Sequence, residues 1–403
     1  MPRFSMPFVW GRKMYRGMMR RIIRFYLKLT RQTIVCNVNS TSFNKRCLVL
    51  YIVSPFQKIP FVKQNLNAHQ NQWQVRELVK QIGRFHYDVD VIDHDDKDVT
   101  LTKKYDLIID LHPGLNNCYF NYMNIGCQRV AYLTGMNASV ANHAEDLRMS
   151  ALAKRRGVRL PPERHARLIS KEIENFDACW YIGNSYNFKS YDEFQMPSVS
   201  FIKNTGYKFS ASFDKKKKSM SNFLFFASSG QVHKGLDLLL EIFGQKNFPY
   251  SLYICSSFRN EHSFCELYEK ELFHRKNIHP VGFIDIHSKL FLDITDSCAF
   301  TILPSCSEGI AGSVLTAMSA GLIPLVSREC GFEDDEVISL DDCSIPTIEQ
   351  AIREYGEKDI NWIIKKSNEV KQIVQERYSE EMYRASIRSA LERLLGTKKE
   401  PLV

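Results

Sequence analysis

The stretch AFTILPSCSEGIAGSVLTAMSAGLIPLVS, residues 299–327, decides the fold. It opens on a short apolar run ending at Pro304 and closes on a second one, IPLVS, after Gly321. Between them lie a loop of small residues and a helix-forming segment. Strand, loop, helix, strand is the repeating unit of a parallel sheet with helices on its faces. The loop carries one acid, Glu308, followed by Gly309, Ile310, Ala311 and Gly312. Glycine and alanine let the backbone approach a ligand, and the amides at a helix start face an anion. Ionised Glu308 only accepts hydrogen bonds, so it suits hydroxyls and is a poor phosphate ligand. A ligand that is both hydroxyl-rich and anionic fits this loop. A structural loop with a capping acid is the plainer reading of the same residues.

The same alternation extends on both sides. In the second half, NFLFFASS, YSLYICS, NIHPVGF, AFTILP and IPLVS read as strands, separated by helices such as GLDLLLEIF, CELYEKELF and IHSKLFLDI. In the first half, the strands are CLVLYIVSPF (47–56), YDVDVID (87–93), YDLIIDLHP (105–113), RVAYLTG (129–135), ACWYIGN (178–184) and SVSFIKNTG (198–206), with a helix over 64–85. The Lys-rich stretch YKFSASFDKKKKSMS (207–221) separates the two halves. The sequence therefore predicts an α/β chain of two doubly wound, Rossmann-like domains facing a cleft. Expected boundaries are 1–43 for a basic leader, 44–207 for the first domain, 208–375 for the second and 376–403 for a C-terminal helix packing back on the first. Ligands of such sheets bind beyond the C-terminal ends of the strands.

A chain of 403 residues is long enough for roughly two to three domains with a sizeable core. Its 44% hydrophobic and 25% charged residues are ordinary for a soluble globular protein. Much of the net charge of +9 sits in residues 11–31, which hold eight Lys or Arg and no acid. Met14, Met18, Ile22, Phe25 and Leu29 recur there at helical spacing. A basic amphipathic helix lying on an anionic membrane surface fits this pattern, as does a basic helix docked on the body. No apolar run reaches the ~20 residues of a membrane span, and cations interrupt every early apolar stretch that could serve as a secretory signal. The eleven cysteines are odd in number, scattered and never spaced C-x-x-C, so they read as reduced, mostly buried thiols. The expected location is the cytoplasm, with peripheral attachment to the cytoplasmic face of a membrane; the sequons at Asn39 and Asn137 would then go unused.

SSGQVHKGLDLLLEIF (228–243) places Lys234 at a strand-to-helix junction, where a phosphate would sit, although such a lysine is commonly a solvated surface charge. This segment, followed by ILPSCSEGIAGSVLTAMSAGLIPLVS, resembles the C-terminal half of retaining GT-B glycosyltransferases of the glycogen-synthase-like and sucrose-synthase-like kind, the group 1 or family 4-like type. The match rests on Pro304, Ser305, Glu308, Gly309, Ala317, Met318 and Gly321, with YDLIIDLHP and FIKNTGY as weaker support. The resemblance implies transfer of a sugar from a nucleotide-diphosphate-sugar donor onto a glycan or lipid-linked acceptor, as in cell-surface polysaccharide or glycolipid synthesis, with no metal or other cofactor. Carried over, Glu308 would accept from sugar hydroxyls and Lys234 would steady the departing diphosphate. His112 would reach the transferred sugar. The amides of Gly309, Ile310, Ala311 and Gly312, with Ser229 and Gly230, would complete the donor site.

Two positions depart from that pattern. A second acid that binds the nucleotide ribose in the family falls on Thr316, and a basic residue falls on Ser229. A degenerate paralogue that serves as a regulatory or sugar-nucleotide-binding subunit is the alternative these losses permit. Arg259 and Arg328, each just past a strand end, are positional candidates for the missing cation. On the acceptor side, Asn142, Glu145 and Arg148 cluster early in one helix, and Glu145 and Arg148 stand at the i, i+3 spacing of a simple ion pair. For an inverting reaction, Asp110 or His112 would be the base. VIDHDDKD (91–98) reads as a polar turn, because neighbours on an extended segment point to opposite faces and do not converge on a metal. Basic tracts without interleaved aromatics argue against nucleic acid.

Overall fold

The computed structural model describes residues 34–57, 70–96, 99–116, 118–207, 209 and 219–396. The basic leader over 11–31, residues 64–69 of the first expected helix and most of the Lys-rich linker lie outside them. By internal contacts the chain divides into two units, one running to Asp110 and including 116–128, the other comprising 111–115 and everything from Arg129 onward.

The first unit holds β1 (Ile34–Val35), β2 (Lys45–Tyr51), β3 (Tyr87–Asp93) and β4 (Tyr105–Asp110) in the order β1-β3-β2-β4. β2 pairs in parallel with both β3 and β4. Covered on both faces, its Cys47–Leu50 run is wholly buried, which is why it reads as continuous apolar sequence and not as an alternation. Helix α1 (Gln70–Gly83) buries Val75, Leu78, Val79 and Ile82, the i, i+3, i+4, i+7 stripe of an amphipathic helix. β1 runs antiparallel to β3 and was not expected. Two residues carry no periodicity, and what secures the segment is remote: buried Asp90 on β3 accepts from the Asn37 amide at 2.7 Å.

Strand β5 (Met123–Leu133) runs into the second unit, where β5, β6 (Ala178–Tyr181) and β7 (Ser198–Phe201) pair in parallel. α2 (Ala138–Arg156) and the single turn α3 (Ser185–Phe188) connect them. The remaining strands are β8 (Ser219–Phe226), β9 (Ser251–Cys255), β10 (Ile278–Pro280), β11 (Cys298–Leu303), β12 (Ile323–Ser327) and β13 (Ile338–Leu340). They form a wholly parallel sheet in the order β10-β9-β8-β11-β12-β13. Its helices are α4 (Leu236–Phe243), α5 (His262–Leu267), α6 (Glu269–His274), α7 (Lys289–Ser297), α8 (Gly312–Ser319) and α9 (Ile345–Gly356). Phe223 on β8 stacks on Phe300 on β11 at 5.0 Å and meets Phe243 of α4 edge-on at 5.9 Å, and Leu239 and Leu240 of the same helix are fully buried. Truncating either leucine to alanine would cost about 2–5 kcal/mol.

The expected single helix CELYEKELF is two, broken at Tyr268, whose buried ring sends its hydroxyl to Glu241 at 3.0 Å. Helices α10 (Ile360–Arg377) and α11 (Glu380–Leu395) end the described chain. α11 sets the Tyr383 hydroxyl 3.3 Å from that of Tyr132 on β5, both buried, while Arg393 donates to the Val199 carbonyl at 3.2 Å. All eleven cysteines are free. No helix among the described residues is long and apolar enough to cross a membrane.

Candidate functional site

The six-stranded sheet reverses its strand order between β8 and β11, and such a switch point opens a crevice at the strands' C-terminal ends. Lys234 follows β8 and Glu308 follows β11. The loops that carry them are joined by a backbone bond from the Cys306 amide to the His233 carbonyl, 3.0 Å. A second bond runs from His233 Nε2, necessarily the donor, to the Ser307 carbonyl, 2.9 Å. Across this junction Lys234 Nζ donates to Glu308 Oε1, which also accepts from the Ser305 hydroxyl at 2.8 Å. The side chains are only 7% and 14% exposed. Burial pushes the Glu308 carboxyl up, but Lys234 first, then His233 and Arg164, more than reverse it and hold it below its ordinary value. An ionised acid and a cation are thus fixed side by side at the place where such sheets bind ligands.

The Glu308 loop is held from the other side by β5–β7 and their connections. A Cβ at Gly309 would lie 2.4 Å from the Thr134 carbonyl oxygen and 2.5 Å from that of Ile182, so only glycine passes between them. The Asn187 side-chain amide donates to the carbonyls of Glu308, Gly309 and Glu329, each at 3.0 Å. Two protons serve three acceptors, so one bond is shared. Asn204 takes the Ile310 carbonyl and Asn184 that of Phe332, both at 3.0 Å. These three buried asparagines were missed in the sequence. The available signal was an Asn just past each of two strand ends, in YIGN and FIKN.

On α2, Asn137 caps the helix by accepting from the Ser139 amide at 3.1 Å. Asn142 exchanges two hydrogen bonds with the backbone of Ala166, 2.8 and 2.9 Å. Glu145, 1% exposed, accepts from the amides of Glu163 and Arg164 at 3.0 and 3.1 Å and lies 3.7 Å from His233 Nδ1. Burial raises its carboxyl, yet His233 and those amides bring it below the ordinary value. Arg148 donates to the Pro304 carbonyl at 2.9 Å. The i, i+3 ion pair expected between Glu145 and Arg148 does not form: Glu145 accepts from the backbone amides of the exposed 163–164 loop, and Arg148 donates to the buried Pro304 carbonyl.

Other expected positions are placed as follows. Thr316, 3% exposed, donates its hydroxyl to the Gly312 carbonyl at 2.9 Å, one turn back in α8. The amides of Gly230 and Gln231 donate to the Glu261 carboxylate at 2.6 and 3.0 Å, beside half-buried Ser229. The Ala311 amide donates to the Cys330 carbonyl at 3.0 Å. Arg259 lies over Phe258 and Phe273 and donates to the Pro280 carbonyl, and Arg328 lies over Tyr186. His112 stands half-buried on the turn after β4, its carbonyl accepting from the Leu115 amide at 3.0 Å. Asp110 is fully buried and accepts from the Tyr119 hydroxyl at 3.0 Å. In the turn after β3, His94 Nδ1 donates to the Tyr51 carbonyl at 2.7 Å.

Residues 208–379 match the glycosyl transferases group 1 family. Both Lys234 and Glu308 fall inside the match. No curated protein matches the chain by sequence. Among solved structures, the chain is similar to sucrose-phosphate synthase from Thermosynechococcus elongatus, with 14% identity, a TM-score of 0.55, and 87% of this chain and 100% of that one covered. It is similar to TarM at 12% identity and a TM-score of 0.53, covering 72% of this chain but only 55% of TarM. The Anabaena protein HepE, solved with UDP and glucose, is 12% identical with a TM-score of 0.50, covering 88% of this chain and 100% of HepE. The fold is thus the GT-B arrangement of two Rossmann-like domains that the glycosyl transferases group 1 resemblance implied.

Proposed function

We propose that the protein is a retaining glycosyltransferase that moves a sugar from a nucleotide-diphosphate-sugar donor to a glycan or lipid-linked acceptor in the synthesis of cell-surface polysaccharide or glycolipid. The observation that carries this reading is the Lys234–Glu308 pair at the switch point, inside the segment matched by the family. An ammonium has three protons, and Glu308 takes one, so the same lysine can also meet a phosphate oxygen. Breaking the bond between the sugar and the diphosphate builds negative charge on the leaving oxygen, and a fixed cation there lowers the barrier. Glu308, kept ionised, accepts from the donor sugar's hydroxyls. No metal is needed for leaving-group charge that Lys234 meets. His112 is assigned to the transferred sugar. Asn142, Glu145 and Arg148 act at one remove, by holding residues 163–166 and Pro304. HepE's UDP and glucose support beginning with uridine diphosphate sugars. The basic leader is assigned to an anionic membrane surface on the cytoplasmic face.

Thr316 favours a second reading, a sugar-nucleotide-binding subunit without turnover, because its hydroxyl proton is committed to Gly312 and leaves a ribose only lone pairs. Purified protein screened against labelled sugar nucleotides separates the two. Transfer or slow donor hydrolysis with one of them supports the enzyme, whereas thermal stabilisation by UDP or GDP without any turnover supports the binding subunit. Neither response to any sugar nucleotide would sink both.

A further inference from the structure

Lys234 shares its charge with Glu308, while the diphosphate of the proposed donor carries at least two negative charges, so a second cation is required. Arg259 and Arg328 are seated on aromatic rings, and Arg148 is turned to the Pro304 carbonyl. Arg164 is placed differently. Its amide is gripped by the Glu145 carboxylate, 3.1 Å to one oxygen and 3.2 Å to the other, which fixes where its side chain starts. From there its stem lies directly on Gly230: a Cβ at that glycine would come within 2.3 Å of Arg164 Cγ and 2.8 Å of Cδ. Gly230 has φ +84°, and its carbonyl accepts from the Lys234 amide at 2.9 Å, so Arg164 rests on the turn that presents Lys234. The residue is exposed, and no ion pair holds its guanidinium among the described residues. Its positive charge is felt at Glu308.

We propose that Arg164 is a donor-binding residue that grips the diphosphate together with Lys234, reaching it from the loop that α2 holds over Gly230. A guanidinium offers two parallel N–H groups in a fixed plane to two phosphate oxygens, a bidentate fork that an ammonium lacks. The assignment gives a role to the buried acid Glu145, which holds backbone amides of an otherwise exposed loop, while Gly230 is set by its φ of +84° and leaves the room that the Arg164 stem takes. It rests on the proposed sugar-nucleotide function and adds a residue that this function alone does not assign.

Calorimetric titration of the full chain with UDP, GDP, UMP and GMP tests it, using Arg164→Ala and Arg164→Lys beside wild type. Arg164→Ala should weaken the better diphosphate by about tenfold or more and its monophosphate by less than about twofold, with Arg164→Lys recovering part of the loss. Diphosphate affinity within about twofold of wild type, or equal losses for mono- and diphosphate, would overturn the assignment. Wild-type protein that binds none of the four nucleotides and responds to no labelled sugar nucleotide would overturn the proposed function and this inference with it, whereas wild-type binding with an unaffected variant overturns this inference alone.

Discussion

Gly309→Ala is the sharpest perturbation of the site, since it changes no charge and removes no hydrogen-bonding group. The added carbon would stand 2.4 and 2.5 Å from two backbone oxygens, those of Thr134 and Ile182. Neither is the tip of a flexible side chain, so the loop itself must retreat by at least about 0.6 Å to reach the shortest tolerable carbon–oxygen contact. That retreat stretches the Asn187 bonds to Glu308 and Gly309, both at 3.0 Å. Overpacking of about 1–3 kcal/mol plus roughly 1 kcal/mol of weakened hydrogen bonding gives a loss of about 2–4 kcal/mol. Glu308, the proposed donor-sugar ligand, is the preceding residue, and a shift of that size at a reacting site lowers turnover by roughly ten- to a hundredfold. Urea unfolding followed by tryptophan fluorescence, with transfer assays on the folded variant, reads both effects. Gly135→Ala is the control, because a Cβ there meets nothing within 4 Å. A Gly309→Ala protein with the unfolding midpoint and turnover of the control would refute the tight passage described for this loop.

Further expectations concern charge. Lys234→Ala and Glu308→Ala should each cut transfer by at least about a hundredfold while circular dichroism stays native, and wild-type turnover in both would remove the assigned site. Glu308 and Glu145 both lie below their ordinary pKa, so their stabilisation is full above about pH 4.5 and is lost as pH falls through the folded values. Acid unfolding of Glu145→Gln should accordingly be shallower than that of wild type, and identical acid limbs would contradict the assignment. Asp237 behaves oppositely: burial, opposed by Arg148 and Arg155, lifts it to about 6, so its ionisation destabilises the fold increasingly between about pH 4 and 6. Asp237→Asn should raise stability at pH 8 by about 1–2 kcal/mol and leave it unchanged at pH 3.5; a loss at pH 8 would show that the Arg155 contact outweighs burial. Removing residues 1–33 should release the protein from anionic vesicles, measured by flotation, and unaltered partitioning would exclude the leader as the anchor.

Much of this architecture was legible because buried parallel strands leave local marks. IPLVS and YDVDVID are strands over the expected residues, and the apolar runs before Lys234 and Glu308 placed both at strand ends. What stayed hidden depends on partners far away in the chain. β1 owes its place to Asp90, fifty-three residues from Asn37, and the three asparagine clamps reach across more than a hundred residues. Hydrophobic period cannot report an amide that grips a remote carbonyl. Helical spacing likewise suggested that Glu145 pairs with Arg148, whereas remote backbone groups, at Glu163, Arg164 and Pro304, took both. For Lys234 and Glu308 the sequence named the residues and the structure supplied their contact.

The seat of the last helix has a consequence for how the molecule is made. Tyr132 is covered by Tyr383, and residues 199–203 are bonded to Ser386 and Arg393. While the chain emerges from a ribosome, the finished β5–β7 surface therefore waits for roughly 180–190 residues of later synthesis, about 9–40 s at ordinary elongation rates. Until then, an aromatic face containing Tyr132 and Trp180 lacks its cover. Nascent chains stalled before residue 380 should be clients of holding chaperones, and release should coincide with the appearance of the final helix.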